Sequence, residues 1–324
     1  MEKTRLSNKS IRKAGENLRQ NIAVKDDLDI ISTFRTAHIQ IMKMLVKTIK
    51  DKLPKPLLIA RRLKRLSSIK AKLKRFENMQ LDRMQDIGGV RAVFKNTNEV
   101  MAFAENIKRI YGSNKSVLNI VKEFDYIKEP KSDGYRSYHL VFEYTGKIDE
   151  IKNYKIELQL RDLLQHYWAT AIEILALKSD TNIKAGKIGN EDYKRFFWCC
   201  AELFAGSAEY NDEIKKLDEK LNILMLLSGL NVASDIIDKK GDEDSLYLLI
   251  LNVKDEVLKL TRFDKKDKNT AQQIYQTMET NSDISSVLVS VDDIKKLKKA
   301  YPNYFLNAKN FIKEVRDRLG FKFL

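Results

Sequence analysis

The chain has 324 residues and a formal net charge of +15, with 43% hydrophobic residues, 12 glycines and 4 prolines. A chain of this length buries a sizeable core and predicts two domains, and the composition excludes a disordered protein. The basic excess favours a polyanionic partner such as nucleotide phosphates or RNA, although a general drift towards lysine would give the same charge.

Cysteine usage disfavours a protein held together by disulfides or zinc, and hydropathy disfavours a membrane-spanning protein. Cys199 and Cys200 are the only cysteines, and adjacent cysteines rarely form a structural disulfide. With no second Cys or His pair at zinc-ligand spacing, we expect two reduced, buried thiols. The N-terminus is polar and no apolar run reaches the roughly 18 residues of a membrane span. The sequence therefore predicts a cytoplasmic protein without membrane contact.

The first 75 residues are predicted to be mainly helical. Apolar residues between Ile30 and Leu45 recur at three- and four-residue spacing, which is typical of a helix packed on a core. The basic tract 61–75 is predicted as a second helix, whose shared face would carry Arg61, Lys64, Ser68 and Lys72. A charged face of this kind is usually solvated, but it could also bind a triphosphate.

Two later segments each place a carboxylate beside a predicted strand. Asp86 precedes two glycines and the strand Val90–Phe94, and the glycines permit close approach of backbone or ligand. Glu157 lies in Lys155–Arg161, a segment that alternates apolar and polar residues and is predicted as a strand. Its polar face meets either solvent or a cleft.

The loop Asp125–His139 separates these two segments and is rich in phosphate-binding and base-stacking side chains. It leads into a predicted strand from Ser137 to Tyr144. Two acids able to hold a metal, surrounded by Lys, Arg, His and Tyr, indicate phosphoryl transfer on a nucleotide.

The second half begins with predicted helices over 162–177 and 191–230, followed by a linker at 238–244. A small α/β module of about eighty residues is then predicted, because apolar alternation and helical spacing succeed one another. Its elements are a strand at 246–253, a helix at 270–279, a strand at 286–291 and helices at 292–299 and 308–319. Tyr301 and Tyr304 lie between the last two helices, where local packing is the simplest interpretation.

Four segments, in this order and at suitable spacing, resemble the synthetase domain of RelA/SpoT-type proteins. They are Arg62-x-Lys64-x-x-x-Ser68-Ile69-x-x-Lys72, Asp86 to Arg91, Asp125 to His139, and Glu157-x-Gln159-x-Arg161. The resemblance covers about residues 45–180. No hydrolase signature of the HD type precedes it, which implies a synthetase without a degrading partner.

The resemblance implies an α+β fold: a nucleotidyltransferase-like mixed sheet of about five strands flanked by helices, with additional helices and a small C-terminal α/β module. The domains would be a synthetase domain at 1–185, connecting helices at 186–237 and an antitoxin-like regulatory module at 245–324. The implied reaction transfers the β,γ-pyrophosphate of ATP to a nucleotide 3′-hydroxyl, with AMP leaving.

The resemblance also implies roles for individual residues. Asp86 would hold Mg²⁺, and Glu157 would share the metal or take the proton of the attacking hydroxyl. The ATP-binding residues would be Arg62 on adenine, with Lys64, Ser68, Lys72 and Arg91 on the phosphates. The acceptor-binding residues would be Lys131, Tyr135, His139, Gln159 and Arg161, with the Tyr135 ring stacked on the acceptor base.

Family members use different acceptors. The excess of basic residues over 51–75 favours the 3′-terminal adenosine of tRNA as acceptor, which would make the protein a translation-inhibiting toxin. The alternative is a (p)ppGpp synthetase acting on GDP or GTP in the stringent response. Tyr301 and Tyr304 resemble the neutralising motif of fused toxin–antitoxin Rel proteins of the CapRel type. That likeness implies autoinhibition, release by a phage protein and a role in antiviral defence.

An idle RNA-binding module is disfavoured because both Asp86 and Glu157 are present. The sequence predicts no oligomeric state.

Overall fold

The structure is a computed structural model that describes residues 6–112, 116–182, 190–228, 246–252, 257–263, 267–279, 284–290 and 308–320. The elements up to residue 162 are α1 (Asn8–Gln20), α2 (Lys25–Lys52), β1 (Leu58–Leu63), α3 (Leu66–Arg75), β2 (Gly88–Phe94), α4 (Thr97–Tyr111), β3 (Leu118–Asp125), β4 (Tyr138–Tyr144) and β5 (Lys155–Asp162). The later elements are α5 (Leu163–Asn182), α6 (Asn190–Phe204), α7 (Asn211–Leu221), α8 (Ile223–Ser228), β6 (Leu246–Asn252), β7 (Val257–Phe263), α9 (Lys268–Glu279), β8 (Ile284–Ser290) and α10 (Lys309–Leu319).

The strands form one mixed sheet in the order β3-β4-β5-β2-β1-β8-β6-β7. Strands β2 and β5 are parallel, and the other neighbouring strands are antiparallel. The predicted class, a mixed sheet flanked by helices, is confirmed. In the described part of the chain the sheet has eight strands. Strands β1 to β5 are the five or so expected of the synthetase domain, and β8, β6 and β7 continue the sheet beyond β1.

The sheet has two differently covered faces. On one face, Ile156, Leu158 and Leu160 of β5 are fully buried in a core that also contains α1 to α4. On the other face, α5 to α8 and α10 form a second core with side chains of β1, β2 and β6. In this core the Trp168 indole donates a hydrogen bond to the Phe197 carbonyl at 2.7 Å. The alternation in β5 therefore leaves its polar face in a space between the sheet and α5.

Local signals in the sequence explain several helix boundaries. The Ser7 hydroxyl accepts a hydrogen bond from the Ser10 amide at 3.0 Å and begins α1, and Asn21 in the left-handed region ends it. Asp162 and Gln165 bond each other's backbone amides, at 2.9 and 3.1 Å, and so begin α5. The helical character predicted for residues 1–50 is confirmed for their described part by α1 and α2, as are the two buried free thiols.

The prediction of one basic helix from Arg61 to Arg75 was wrong. Arg61 and Arg62 belong to β1, and only residues 66–75 are helical. Strand β1 lies between β2 and β8 and hydrogen-bonds to both, which a helix at this position could not do. Lys64 lies in the link between strand and helix, so Arg61, Lys64, Ser68 and Lys72 do not share a helix face.

Much of the predicted C-terminal module is present, with one addition. The strands at 246–253 and 286–291 and the helices at 270–279 and 308–319 correspond to β6, β8, α9 and α10, whereas β7 was not predicted. The predicted helix at 292–299 lies outside the described residues. The division into three domains stays a prediction, although β8 joins the sheet of the first half directly. Within the described ranges, no helix combines the length and apolar content needed to cross a bilayer.

Candidate active site

The polar face of the central strands lies opposite α5, whose Glu173 approaches Arg91 of β2, and the space between this face and α5 is called the cleft below. Register pairs Gly89 of β2 with Arg62 of β1 on one side and with Glu157 of β5 on the other. Paired residues on neighbouring strands point to the same face of a sheet. The polar side chains that share the cleft face are Arg62, Arg91, His139, Glu157, Gln159 and Arg161.

Asp86 lies just before β2 and is held by two lysines. Lys64 Nζ lies 2.8 Å from Oδ2, and Lys72 Nζ lies 2.9 Å from Oδ1. Burial alone would raise the pKa of Asp86, but the two ammonium groups outweigh it and hold the pKa below its ordinary value. Asp86 is therefore an ionised carboxylate with one cation on each oxygen. Ser68 is half-buried on α3, one turn before Lys72.

Glu157 is held from both sides by its neighbours on the same face. His139 Nδ1 lies 2.8 Å from Oε1, and Gln159 Nε2 donates to Oε2 at 2.7 Å. Burial raises the pKa of Glu157, but these hydrogen bonds and the charge of His139 outweigh burial and lower the pKa below its ordinary value, so the carboxyl is ionised. The charge of Asp86 acts in the opposite direction and raises this pKa. The two predicted acids are therefore close enough to repel one another.

Tyr135 connects the loop before β4 to the cleft. Its hydroxyl lies 2.8 Å from His139 Nε2 and accepts from Arg161 Nη2 at 2.8 Å. Burial raises the pKa of Tyr135, but the charges of Arg161 and His139 outweigh it and lower the pKa to about 8. Lys131 Nζ lies 4.8 Å from the centre of the same ring. The five predicted acceptor residues thus form one connected group.

Arg161 has unused hydrogen-bonding capacity. Arg161 is 4% exposed. Among the described residues, its Nε and Nη1 atoms have no hydrogen-bond partner. The Nη2 atom donates to the Tyr135 hydroxyl and, at 3.3 Å, to the Gln159 side-chain Oε1 atom. A buried guanidinium with two unused donors is costly without a ligand, and phosphate oxygens match its planar donor geometry.

Glu173 is a cleft residue that the sequence analysis missed. It lies on α5, and its Oε1 atom is 3.9 Å from Arg91 Nη2. Burial raises the pKa of Glu173, but the surrounding guanidinium charges lower it below its ordinary value; they belong to Arg62, Arg91, Arg161 and Arg65. One carboxylate thus faces arginines from both the predicted ATP side and the predicted acceptor side. The available signal was that Glu173 is the only acid among residues 163–179 of α5.

Two expectations concern groups that the structure describes incompletely. Tyr301 and Tyr304 lie outside the described residues. Within the described ranges, no group of three or more His, Cys, Asp or Glu side chains could hold a metal. The assignment of Asp86 and Glu157 as ligands of Mg²⁺ stays a prediction.

Paired carboxylates among lysines and arginines are characteristic of proteins that bind phosphorylated ligands. Comparison with known proteins is more specific: residues 61–180 match the family described as the region found in RelA / SpoT proteins. The match falls on the middle part of the chain, where the sequence motifs predicted it. The finer likeness to fused toxin–antitoxin proteins of the CapRel type stays a prediction.

Two curated relatives come from Bacillus subtilis (strain 168). The GTP pyrophosphokinase YjbM is 34% identical over 125 residues, which are 38% of this chain and 57% of YjbM. The GTP pyrophosphokinase YwaC is 31% identical over 90 residues, which are 28% of this chain and 40% of YwaC. The chain thus spans about half the length of these relatives.

Among solved structures, the B. subtilis small alarmone synthetase 1 bound to its product pppGpp is 24% identical with a TM-score of 0.42, and the match covers 58% of this chain and 94% of that one.

Proposed function

We propose that the protein is an ATP-dependent pyrophosphokinase that transfers the β,γ-pyrophosphate of ATP to the 3′-hydroxyl of a nucleotide. The observation that carries this proposal is the position of Asp86 and Glu157 in one cleft, both ionised, with two lysines on Asp86 and with His139 and Gln159 on Glu157. The RelA/SpoT region and the two relatives named GTP pyrophosphokinases support the same activity.

The donor set fits a magnesium ion. Asp86 and Glu157 offer hard carboxylate oxygens, and their mutual repulsion would be relieved by a divalent cation between them. Two protein carboxylates are a usual set for Mg²⁺, which takes its remaining ligands from phosphates and water. When bound, the ion would neutralise charge on the transferred group.

The chain's own residues would bind and orient the two substrates. Lys64 and Lys72 would leave Asp86 for the ATP phosphates, with Ser68 and Arg91 assisting and Arg62 on the adenine. On the acceptor side, Tyr135 would stack on the base. The remaining acceptor residues would hold its phosphates and hydroxyls; they are Lys131, His139, Gln159 and Arg161.

Glu157 would take the proton of the attacking 3′-hydroxyl in this scheme. His139 donates to one of its oxygens and Gln159 to the other, so the carboxylate is already oriented before the acceptor arrives. Positioning and charge neutralisation would supply most of the rate enhancement, since phosphoryl transfer needs little covalent participation by the protein.

Two acceptors are supported by different observations. The net charge of +15 and the basic tract at 51–75 support tRNA, whose modified 3′ end would stop translation and make the protein a toxin. The names of the two relatives support GTP or GDP, which would yield (p)ppGpp.

Transfer of label from γ-labelled ATP would test both the reaction and the acceptor. The protein is incubated with Mg²⁺ and either deacylated tRNA or GDP and GTP, and the labelled species is identified. Label in tRNA supports the toxin proposal, whereas label in guanosine nucleotides alone excludes it. Asp86→Asn should abolish transfer to either acceptor, since an amide is a poor ligand for Mg²⁺. No transfer by the unaltered protein with any nucleotide would refute the whole proposal.

Autoinhibition by the C-terminal segment belongs to the same proposal. Tyr301 and Tyr304 would cover the ATP site until a phage protein binds and favours an open state. Its support is that β8, which precedes them, hydrogen-bonds to β1 at Arg61 and Arg62. Replacing both tyrosines with alanine should make expression more toxic; unchanged growth would contradict the idea.

A further inference from the structure

A chain of short contacts connects the C-terminal part of the molecule to the catalytic carboxylate. Tyr275 lies on α9, and its hydroxyl accepts a hydrogen bond from Arg35 Nη2 at 2.9 Å. Arg35 lies on α2 and donates through Nε to the Lys64 carbonyl at 3.0 Å. Lys64 in turn donates through Nζ to Asp86 at 2.8 Å.

The first contact in this chain is shielded from water. Arg35 is 3% exposed and Tyr275 is 4% exposed. The Arg35 guanidinium also lies over the Tyr275 ring, 5.3 Å from its centre. A charged donor in such an environment makes a stronger hydrogen bond than it would in water, so Tyr275 restricts where the Arg35 side chain lies.

Lys64 lies in the two-residue link between β1 and α3, where no regular hydrogen-bond ladder holds the backbone. Its amide donates to the Ile87 carbonyl at 2.8 Å, beside Asp86. Its carbonyl accepts from Arg35. Arg35 therefore fixes one of the two backbone groups that determine where the Lys64 side chain begins.

We infer that Tyr275 and Arg35 are positioning residues for Lys64, so that the C-terminal α9 helps to shape the ATP-phosphate site of the first half. Neither residue touches substrate in this assignment. The role is separate from the proposed covering of the ATP site by Tyr301 and Tyr304. Loss of Tyr275 would weaken ATP binding, whereas loss of the covering would make the site more accessible to ATP.

Tyr275→Phe is the variant that tests this inference, because it removes the hydroxyl and keeps the ring beside Arg35. We expect the KM for ATP to rise about three- to tenfold, the effect of one buried hydrogen bond, while kcat changes less than about twofold. Arg35→Lys keeps the charge, loses the bond to the Lys64 carbonyl and should raise KM similarly. The double variant should be no worse than the poorer single variant, because both interrupt the same contact chain.

Tyr144→Phe is the matched control. Tyr144 is the last residue of β4 and is equally buried. Its hydroxyl accepts a hydrogen bond from the Ile148 amide at 3.3 Å. Its loss should lower stability slightly and leave the KM for ATP unchanged. An unchanged KM in Tyr275→Phe, or a rise in kcat, would overturn the inference.

The kinetic readout rests on the proposed function, so a second readout is independent of activity. Amide hydrogen exchange of residues 58–66 should be faster in Tyr275→Phe than in the unaltered protein or in Tyr144→Phe. If the unaltered protein transfers no pyrophosphate, the proposed function fails and the exchange rates alone decide this inference. Equal exchange in all three proteins would refute it.

Discussion

Tyr135 is the residue whose ionisation is most unusual in the cleft. Its hydroxyl contacts two groups that favour the anion, His139 and Arg161, and the pKa of His139 is itself raised by Tyr135 and Glu157 despite burial, which lowers it. A protonated His139 would donate from both ring nitrogens. The hydroxyl oxygen would then accept two hydrogen bonds, which explains a pKa of about 8.

One tyrosine should therefore ionise near pH 8, which difference absorbance in the near ultraviolet measures. Tyr135→Phe should abolish this transition, whereas Tyr138→Phe should not, because the pKa of Tyr138 is raised to about 12. The lowered pKa stabilises the folded state fully above the ordinary tyrosine value of 10.0, and that contribution is lost as the pH falls through about 8. A first transition near pH 10 in the unaltered protein would contradict this assignment.

Glu173 supports a prediction about anions. Glu173→Gln keeps the shape of the side chain and leaves the four arginines around it without their shared negative charge. We expect a lower Tm, and we expect inorganic pyrophosphate to restore more of it than in the control, since a bound anion replaces the lost charge and stabilises the folded state. Glu213→Gln is the control: it breaks the pair between α7 and Arg195 of α6, at 2.7 Å, and removes no charge from the four arginines. Equal effects of pyrophosphate on both variants would disprove the prediction.

At the scale of elements, β2 and α2 approach closely at one glycine. A Cβ on Gly88 would lie 2.9 Å from His38 Cβ and 3.1 Å from an Ile156 methyl, whereas a Cβ on Gly89 would meet only the Arg62 carbonyl oxygen at 3.9 Å. Cβ atoms placed at these two consecutive strand positions point to opposite faces of the sheet. One faces the core under α2, and the other faces the cleft.

The two alanine substitutions should therefore differ in stability. Gly88→Ala should reduce the free energy of unfolding by about 1–3 kcal/mol, because the backbone of two packed elements must separate. Gly89→Ala should change it by less than about 0.5 kcal/mol, since its neighbourhood is open. Urea denaturation of both variants measures the difference, and equal losses would show that the strand and helix adapt more easily than this packing implies.

The sequence predicted individual elements well where periodicity was strong, and less well where pairing decided. Ile156, Leu158 and Leu160 identified β5 and its buried face, and the cleft residues followed from the motifs. Arg61 and Arg62 were assigned to a helix because the basic spacing continues into α3, yet pairing with strands distant in sequence makes them part of β1. Glu173 and Arg35 were missed for the same reason: their partners come from other elements, and one sequence does not reveal those contacts.

At the scale of the whole molecule, the last helix contributes to the core over α5 and α6. Phe311 of α10 is 1% exposed, and its ring lies 5.5 Å from Phe197 and 5.7 Å from Phe204. Phe311→Ala should cost about 3–5 kcal/mol through lost burial and the cavity left behind. Chemical denaturation measures this loss, with the exposed Lys313→Ala as control. A loss below about 1 kcal/mol would mean that α10 docks only loosely.

The pairing of β1 with its two neighbours is unequal. Strand β1 pairs with β2 along its whole length from Leu58 to Leu63, but in the described part of the chain it pairs with β8 only at Arg61 and Arg62. A force that pulls the two ends of the protein apart would enter β1 at its first residue and β8 at its last, and these lie at the same end of the antiparallel pair. The short pairing should therefore peel open before the longer ladders separate. The first intermediate under tension would then keep β1 to β5 together while Arg62, on the cleft face, had lost one of its two flanking strands.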